Sequence, residues 1–393
     1  MNPMKEAEQK ALPATRQQVG FALVPAGVLT SEWLNAYALV PRRAFLPDDI
    51  WPFDMRTGQT VHVSRAVDGR RWQEYADADV PIVTQWDDGG HQGPQPGRLP
   101  TSSASMPSVV FRMLDLLTVD EGSRVLEIGT GTGWNAALLA HRAGDDNVVS
   151  VEVDAAVAGR ARGALDRFGA LVEVVHGDGA RGAPGHAPFD RTVATCGVRE
   201  IPFAWVARTR PLGVIVAPWG AGFTGEDALV RLQVHKGGEI AQGGFVGPVE
   251  FMKLRAHRAA PIDHEAYVPL LDLPAVEESA EAASEIASGG RFGPLVFALG
   301  LRVPDCTFSA AEERDGAQPL WFYSRSDRSW ACVFLREGRS ARVWQHGPRR
   351  LWDEVRAGHA WWCAQGRPEW SRFGLTVGAA GEYVWLDEPG RPV

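Results

Sequence analysis

The run Glu127-Ile128-Gly129-Thr130-Gly131-Thr132-Gly133 constrains this chain more than any other stretch. It sits between an apolar segment, Arg124–Ile128, and a helix-patterned one, Trp134–Ala143. Glycines at alternate positions of a strand-to-helix turn let ligand atoms approach the backbone where a Cβ would block them, and helix N–H groups point at the ligand. Tight turns also use glycine with no ligand, so the triplet by itself is weak. The surrounding rhythm supports it. Strands are predicted at Val148–Val153, Leu171–His176, Arg191–Cys196 and Val214–Pro218, with helices at Pro107–Leu117, Ala155–Phe168 and Pro202–Arg208. Strands alternating with helices make an α/β, doubly wound parallel sheet. Strand-like Ala228–His235 and Phe245–Leu254 would add an antiparallel hairpin at its edge.

Two acids fall in register with the turn. Glu152 ends the next strand, nineteen residues after Gly133, where a carboxylate can accept from both hydroxyls of a ribose. The third strand runs into Gly177-Asp178-Gly179, placing a carboxylate where an adenine amino group would sit. A dinucleotide site uses GxGxxG and must accommodate a pyrophosphate. Here the pattern is E-x-G-x-G-x-G, and Glu127 would repel a diphosphate but attract a cationic amino-acid end. That favours a sulfonium methyl donor, S-adenosylmethionine, over NAD.

The same residues carry a family resemblance. Val125–Ala137, Val151-Glu152-Val153, His176-Gly177-Asp178-Gly179 and Pro188-Phe189-Asp190 together resemble protein-L-isoaspartate O-methyltransferases. Upstream, Val40-Pro41-Arg42-Arg43-Ala44-Phe45-Leu46-Pro47 is similar to that family's lead-in segment, and the likeness spans roughly residues 30–255. It implies a Rossmann-like class I methyltransferase fold. The implied cofactor site comprises Glu127, Gly129, Thr130, Gly131, Gly133, Trp134, Asn135, Glu152, Val153, Gly177, Asp178, Gly179 and Thr195, with S-adenosylhomocysteine as product. Ser103-Ala104-Ser105-Met106-Pro107 resembles the family's Thr-x-Ser-x-Pro turn, with Ser for Thr and Met for the usual Gln, making Ser105 and Ser103 the candidate catalytic hydroxyls. Ser105 also fits a plain helix N-cap. Thr195-Cys196-Gly197-Val198-Arg199 departs from the family's small Ala-rich loop, so the substrate wall differs where the cofactor wall does not.

At 393 residues the chain exceeds one ordinary core. A methyltransferase domain over 1–258, carrying an insertion or lid at about 60–100, and a smaller C-terminal α+β domain over 259–393 are expected. The C-terminal part holds eight of the fifteen tryptophans, which suit either a core or a peptide groove. Arg349, Arg350 and Arg356 there could attract an acidic peptide. Cys196, Cys306, Cys332 and Cys363 show no CxxC pair and no neighbouring His at ligand spacing, so no metal is expected. A net charge of −8 argues against a long nucleic-acid footprint. No apolar run is long enough for a membrane span, and the polar Met1–Glu6 start points to the cytoplasm.

The resemblance implies a carboxyl O-methyltransferase acting on a peptide or protein. The substrate-wall departures, the insertion and the extension point within it to a subgroup associated with ribosomally synthesised, modified peptides (lanthipeptide or graspetide type) in actinobacteria. Such an enzyme methylates an aspartate in a precursor peptide, and the ester collapses to succinimide (aspartimide) and then isoaspartate. Isoaspartyl repair is the alternative, and a S-adenosylmethionine-binding scaffold is the alternative from another class. Oligomeric state is not legible.

Overall fold

A computed structural model describes residues 14–54, 57–268, 274–290 and 292–393; Met1–Glu6 lies outside them. The chain divides into two compact units, one of Met1–Cys196, Pro202–Val216 and Gln233–Ile240, the other of Gly197–Ile201, Ala217–Leu232 and Ala241–Val393. Among the described residues no helix is long and apolar enough to cross a membrane.

The first unit opens with α1 (Ala14–Leu23) and α2 (Ser31–Leu39). Ser31 does not cap α2; Thr30 holds that position without a side-chain bond. Next comes a small sheet of β1 (Asp49–Asp54), β2 (Gln59–Thr60), β3 (Val63–Ser64), β4 (Ile82–Trp86) and β5 (Pro100–Ala104), with α3 (Gly69–Asp77) packed on it. Its order is β2-β1-β4-β5, with β3 also pairing β1. Ile50, Val63, Trp72, Ala76 and Ile82 form a core of their own, so the stretch expected as an insertion is a folded layer. Side chains pin the Asp87–Leu99 loop inside it: Asp87 accepts from the Arg98 and Leu99 N–H groups at 3.0 and 2.8 Å, and Trp51 donates its indole N–H to the Pro94 carbonyl at 3.0 Å.

The main sheet of this unit follows from α4 (Pro107–Leu117), β6 (Val125–Ile128), α5 (Trp134–Ala143), β7 (Val148–Glu152), α6 (Ala155–Phe168), β8 (Glu173–His176), β9 (Phe189–Ala194), α7 (Phe203–Arg208) and β10 (Thr209–Trp219). Its strands run in the order β10-β9-β6-β7-β8, all parallel. Every residue of β6 and β7 is buried, as strands covered on both faces must be. Local signals set the helix ends. Asp154 caps α6 by accepting from the N–H groups of Ala156 and Val157, and Gly169 stops it in the left-handed conformation at φ 84°.

In the second unit, β11 (Asp227–Val234) and β12 (Ile240–Val249) form the hairpin expected near 228–254. It is not the edge: β18 (Phe373–Gly378) and β19 (Gly381–Leu386) add a second hairpin outside it, in the order β19-β18-β12-β11. Between them in sequence lie α8 (His264–Tyr267), β13 (Val276–Glu278), α9 (Glu281–Ser288), α10 (Pro294–Arg302), β14 (Cys306–Ala310), β15 (Ala317–Ser324), β16 (Trp330–Arg336), β17 (Ala341–His346) and α11 (Leu351–Ala364). The Ala/Glu-rich stretch 276–288 splits into the strand β13 and the eight-residue helix α9. The antiparallel sheet β13-β17-β16-β15-β14 and α11 share a core that includes Phe322, Val333, Val343 and Trp352. Trp352 and Trp362 are buried, whereas Trp344, Trp361 and Trp370 are half-buried. The arginines proposed for an acidic peptide are already paired: Arg349 with Glu354, Arg350 with Asp353, and Arg356 with Glu278 and Asp353.

Candidate functional site

The glycine turn joins β6 to α5, and all three glycines have positive φ: 96° at Gly129, 54° at Gly131 and 88° at Gly133. A Cβ on Gly129 would lie 2.8 Å from Thr195 Oγ1, and one on Gly131 would lie 3.2 Å from the Ser103 carbonyl. The sequence requires glycine here for conformation and for space. Thr195 closes the turn from β9, its N–H donating to the Ile128 carbonyl at 2.9 Å and its hydroxyl to the Gly129 carbonyl.

Beneath the turn lies Glu127, fully buried. Its carboxylate accepts from Asn135 Nδ2 at 2.6 Å and from the Ser150 hydroxyl, which also meets Thr130 Oγ1 at 2.6 Å. Burial pushes the Glu127 carboxyl up to about 7, against the pull of the Ser150 and Asn135 hydrogen bonds. Because Asn135 turns its amide N–H groups toward Glu127, its carbonyl oxygen faces the other way.

Glu152, at the end of β7, accepts from the Gly131 N–H at 3.0 Å through one oxygen and from the Asp154 N–H at 3.0 Å through the other. These bonds bring Glu152 to the glycine turn, with Val153 between it and the cap of α6. Gly177 donates its N–H to the Glu152 carbonyl at 2.9 Å, which places Asp178 and Gly179 beside the same strand end. Asp178 is exposed and accepts from the Ala180 N–H at 3.0 Å, the turn role that competes with ligand binding. Trp134 is buried against Phe111 and donates its indole N–H to the Val40 carbonyl at 3.0 Å.

The serine turn is held from a distance. The buried Arg42 guanidinium donates to five carbonyls, those of Tyr75, Ala76, Ala78, Val80 and Ser105, at 2.7–3.0 Å. Burial lowers its pKa to about 10. The expected capping role of Ser105 is not observed: Met106 occupies the N-cap of α4 without a side-chain bond, and Asp79 accepts from the Ser108 N–H at 2.8 Å. Neither the Ser103 nor the Ser105 hydroxyl has a hydrogen-bond partner among the described residues, and both side chains are half-buried. Sequence reading quoted Arg42 only as part of a motif and passed over Asp79, since neither carries a local signal of its role. A cavity of about 300 Å³ adjoins this region, lined by Trp51, Gln85, Trp86, His91 and Arg160. Gln85 reaches Asp154 from its wall at 3.5 Å.

The chain is similar to known proteins in sequence and in fold. The family described as Protein-L-isoaspartate(D-aspartate) O-methyltransferase matches residues 56–257. A protein-L-isoaspartate O-methyltransferase of Methanococcoides burtonii is 33% identical over 223 residues, covering 56% of this chain and 90% of the relative. One of Gloeobacter violaceus is 31% identical over 243 residues, covering 62% and 98%. A solved protein-L-isoaspartate O-methyltransferase structure superposes with a TM-score of 0.54 at 21% identity, covering 95% of this chain and all of the other, a likeness of fold that includes the C-terminal part.

Proposed function

The chain belongs to the protein-L-isoaspartate O-methyltransferase family, and from that premise we propose that it transfers a methyl group from S-adenosylmethionine to an isoaspartyl-type carboxylate of a peptide or protein. The observation that carries the reading is the placement of two unpartnered hydroxyls, Ser103 and Ser105, beside the glycine turn. The Ser103 carbonyl packs on Gly131, and Arg42 grips the Ser105 carbonyl.

The residues present fit this cofactor, since Gly129, Gly131 and Gly133 leave the backbone of the turn bare of side chains and Glu152 is already aimed by two backbone N–H groups. Glu152 would hold the ribose, and Gly177, Asp178 and Gly179 the adenine. The methionine end would meet Gly129, Thr130, Gly131, Gly133, Trp134, Thr195 and the Asn135 carbonyl oxygen, whose orientation Glu127 sets. Bound there, S-adenosylmethionine supplies an electrophilic sulfonium methyl.

The chain's own work is positional. A carboxylate of ordinary pKa, about 4, is ionised at neutral pH and needs no general base. Ser103 and Ser105 donate hydrogen bonds to it and fix its approach; alignment of this kind is worth up to roughly 7–11 kcal/mol in ideal intramolecular cases. The ester product is a better electrophile than the acid, so the following backbone nitrogen closes a succinimide without the enzyme, and hydrolysis opens it to Asp or isoAsp.

A second reading, aspartate methylation in a ribosomally made, modified peptide, is favoured by Ser103 and Met106 in the substrate turn and by the Thr195–Arg199 departure. Mass spectrometry of matched Asp and isoAsp peptides, and of any precursor peptide encoded beside the gene, each incubated with S-adenosylmethionine, separates them. A gain of 14 Da on isoAsp peptides alone supports the first reading. The same gain, or a loss of 18 Da, confined to an Asp-containing precursor supports the second. No shift on any of them overturns both and leaves a cofactor-binding scaffold.

A further inference from the structure

The second unit contains a convergence of donor atoms remote in sequence from the residues above. Glu285 on α9 and His359 and Cys363 on α11 place a carboxylate oxygen, an imidazole nitrogen and a thiol sulfur all within 4.8 Å of one another. His359 Nε2 lies 2.8 Å from Glu285 Oε2 and 3.8 Å from Cys363 Sγ. His359 is buried, while Glu285 and Cys363 are half-buried. The expectation that no cysteine has a histidine at ligand spacing is corrected here, because positions four apart on a helix share a face.

The geometry distinguishes two chemistries. In a Cys-His-Glu proton relay the imidazole uses its two nitrogens on opposite sides of the ring, one toward the sulfur and one toward the acid. Here both partners lie against the same nitrogen, Nε2, so the three donor atoms cluster on one side of the ring, within 4.8 Å of one another, as ligands of a metal do. Tetrahedral zinc, with bonds of about 2.0–2.3 Å, sets its donors roughly 3.3–3.6 Å apart. The two distances measured from Nε2 bracket that range.

We propose that Glu285, His359 and Cys363 bind a divalent d-block cation, zinc in the first instance, with the fourth position left to water. On binding, the Cys363 thiol gives its proton to solvent and His359 presents Nε2 as a lone-pair donor, its N–H lying at Nδ1. Arg367 pairs with Oε1 of Glu285, so Oε2, beside His359 Nε2, is the oxygen that faces the site, and the Arg367 guanidinium lies over the Trp362 ring at 5.2 Å. The carboxylate and thiolate together offset the charge of the dication beside that arginine. A nitrogen, oxygen and sulfur set suits zinc or cobalt better than magnesium or calcium. The cation would fasten α9 to α11 within this unit.

The test is cobalt(II) titration of the purified full-length chain, followed by absorption spectroscopy. Binding at Cys363 gives a thiolate-to-cobalt charge-transfer band in the near ultraviolet, together with tetrahedral d–d bands that saturate at about one equivalent. Zinc should abolish both. Cys363→Ser should remove the charge-transfer band while leaving the far-ultraviolet circular dichroism unchanged, and His359→Ala should remove both sets of bands. Absence of both bands in the wild-type chain at several equivalents of cobalt, or a charge-transfer band that survives Cys363→Ser, overturns the assignment.

Discussion

Two strand-to-helix turns face each other in the first unit, and they are built in opposite ways. The glycine turn at 129–133 carries its own instructions: positive φ at three residues, a cap-like entry into α5, and acids at fixed spacing. The serine turn at 103–107 carries almost none. Its backbone is held by Arg42, 63 residues away, and its helix is capped by Asp79, 29 residues from the N–H it receives. The glycine turn is thus encoded locally, while the serine turn is held by residues that only the packing of other layers brings to it.

If the serine turn is truly held at a distance, Arg42→Met should have the largest effect. It strands five carbonyls that the guanidinium now satisfies, and loss of a buried charged partner typically costs about 3–5 kcal/mol. Urea unfolding should show it. A loss below about 1 kcal/mol would mean that the turn stands without Arg42.

Next in size is a pH effect seated under the glycine turn. Folding raises the Glu127 carboxyl from 4.5 to about 7. Its contribution to stability is therefore complete below about pH 4.5 and is lost as pH rises through 7, amounting to no more than about 3 kcal/mol. Asp227, raised to about 6, and Glu382, raised to about 7, slope the same way in the second unit. Glu127→Gln should flatten part of the decline seen in denaturant midpoints between pH 5 and 8, and an unchanged slope would count against a protonatable Glu127.

Glu152→Ala tests the local turn directly. S-adenosylhomocysteine affinity by isothermal titration should fall about 100-fold, near 2.7 kcal/mol, and unchanged affinity would sink the cofactor assignment. The smallest pair divides the two roles once offered for one serine. Ser105→Ala should lower kcat about tenfold while leaving unfolding within about 0.5 kcal/mol of wild type. Asp79→Ala should cost about 1 kcal/mol of stability, the value of a helix cap. If Ser105→Ala instead costs stability and spares kcat, the hydroxyl belongs to the fold.

The sequence by itself determined whatever neighbouring residues decide. The ranges of α5 and α6 are the expected ones, because Gly133, Asp154 and Gly169 mark their ends through conformational and capping preferences that act within a few residues. β6 and β7 were legible as buried parallel strands from apolar runs interrupted only at Glu127 and Ser150, and Glu127, Glu152 and Asp178 from their spacing to the turn. Only the tertiary structure decided the rest. Helix α3 went unread because Trp72, Tyr75 and Ala76 are its whole apolar face, too short a pattern to separate from a loop. The hairpin β18–β19 reaches β12 across more than a hundred residues, and no periodicity names a strand's partner. Arg42, Asp79 and the Glu285–His359–Cys363 convergence are matters of distance in space. Chain order does not carry that information until the layers have packed.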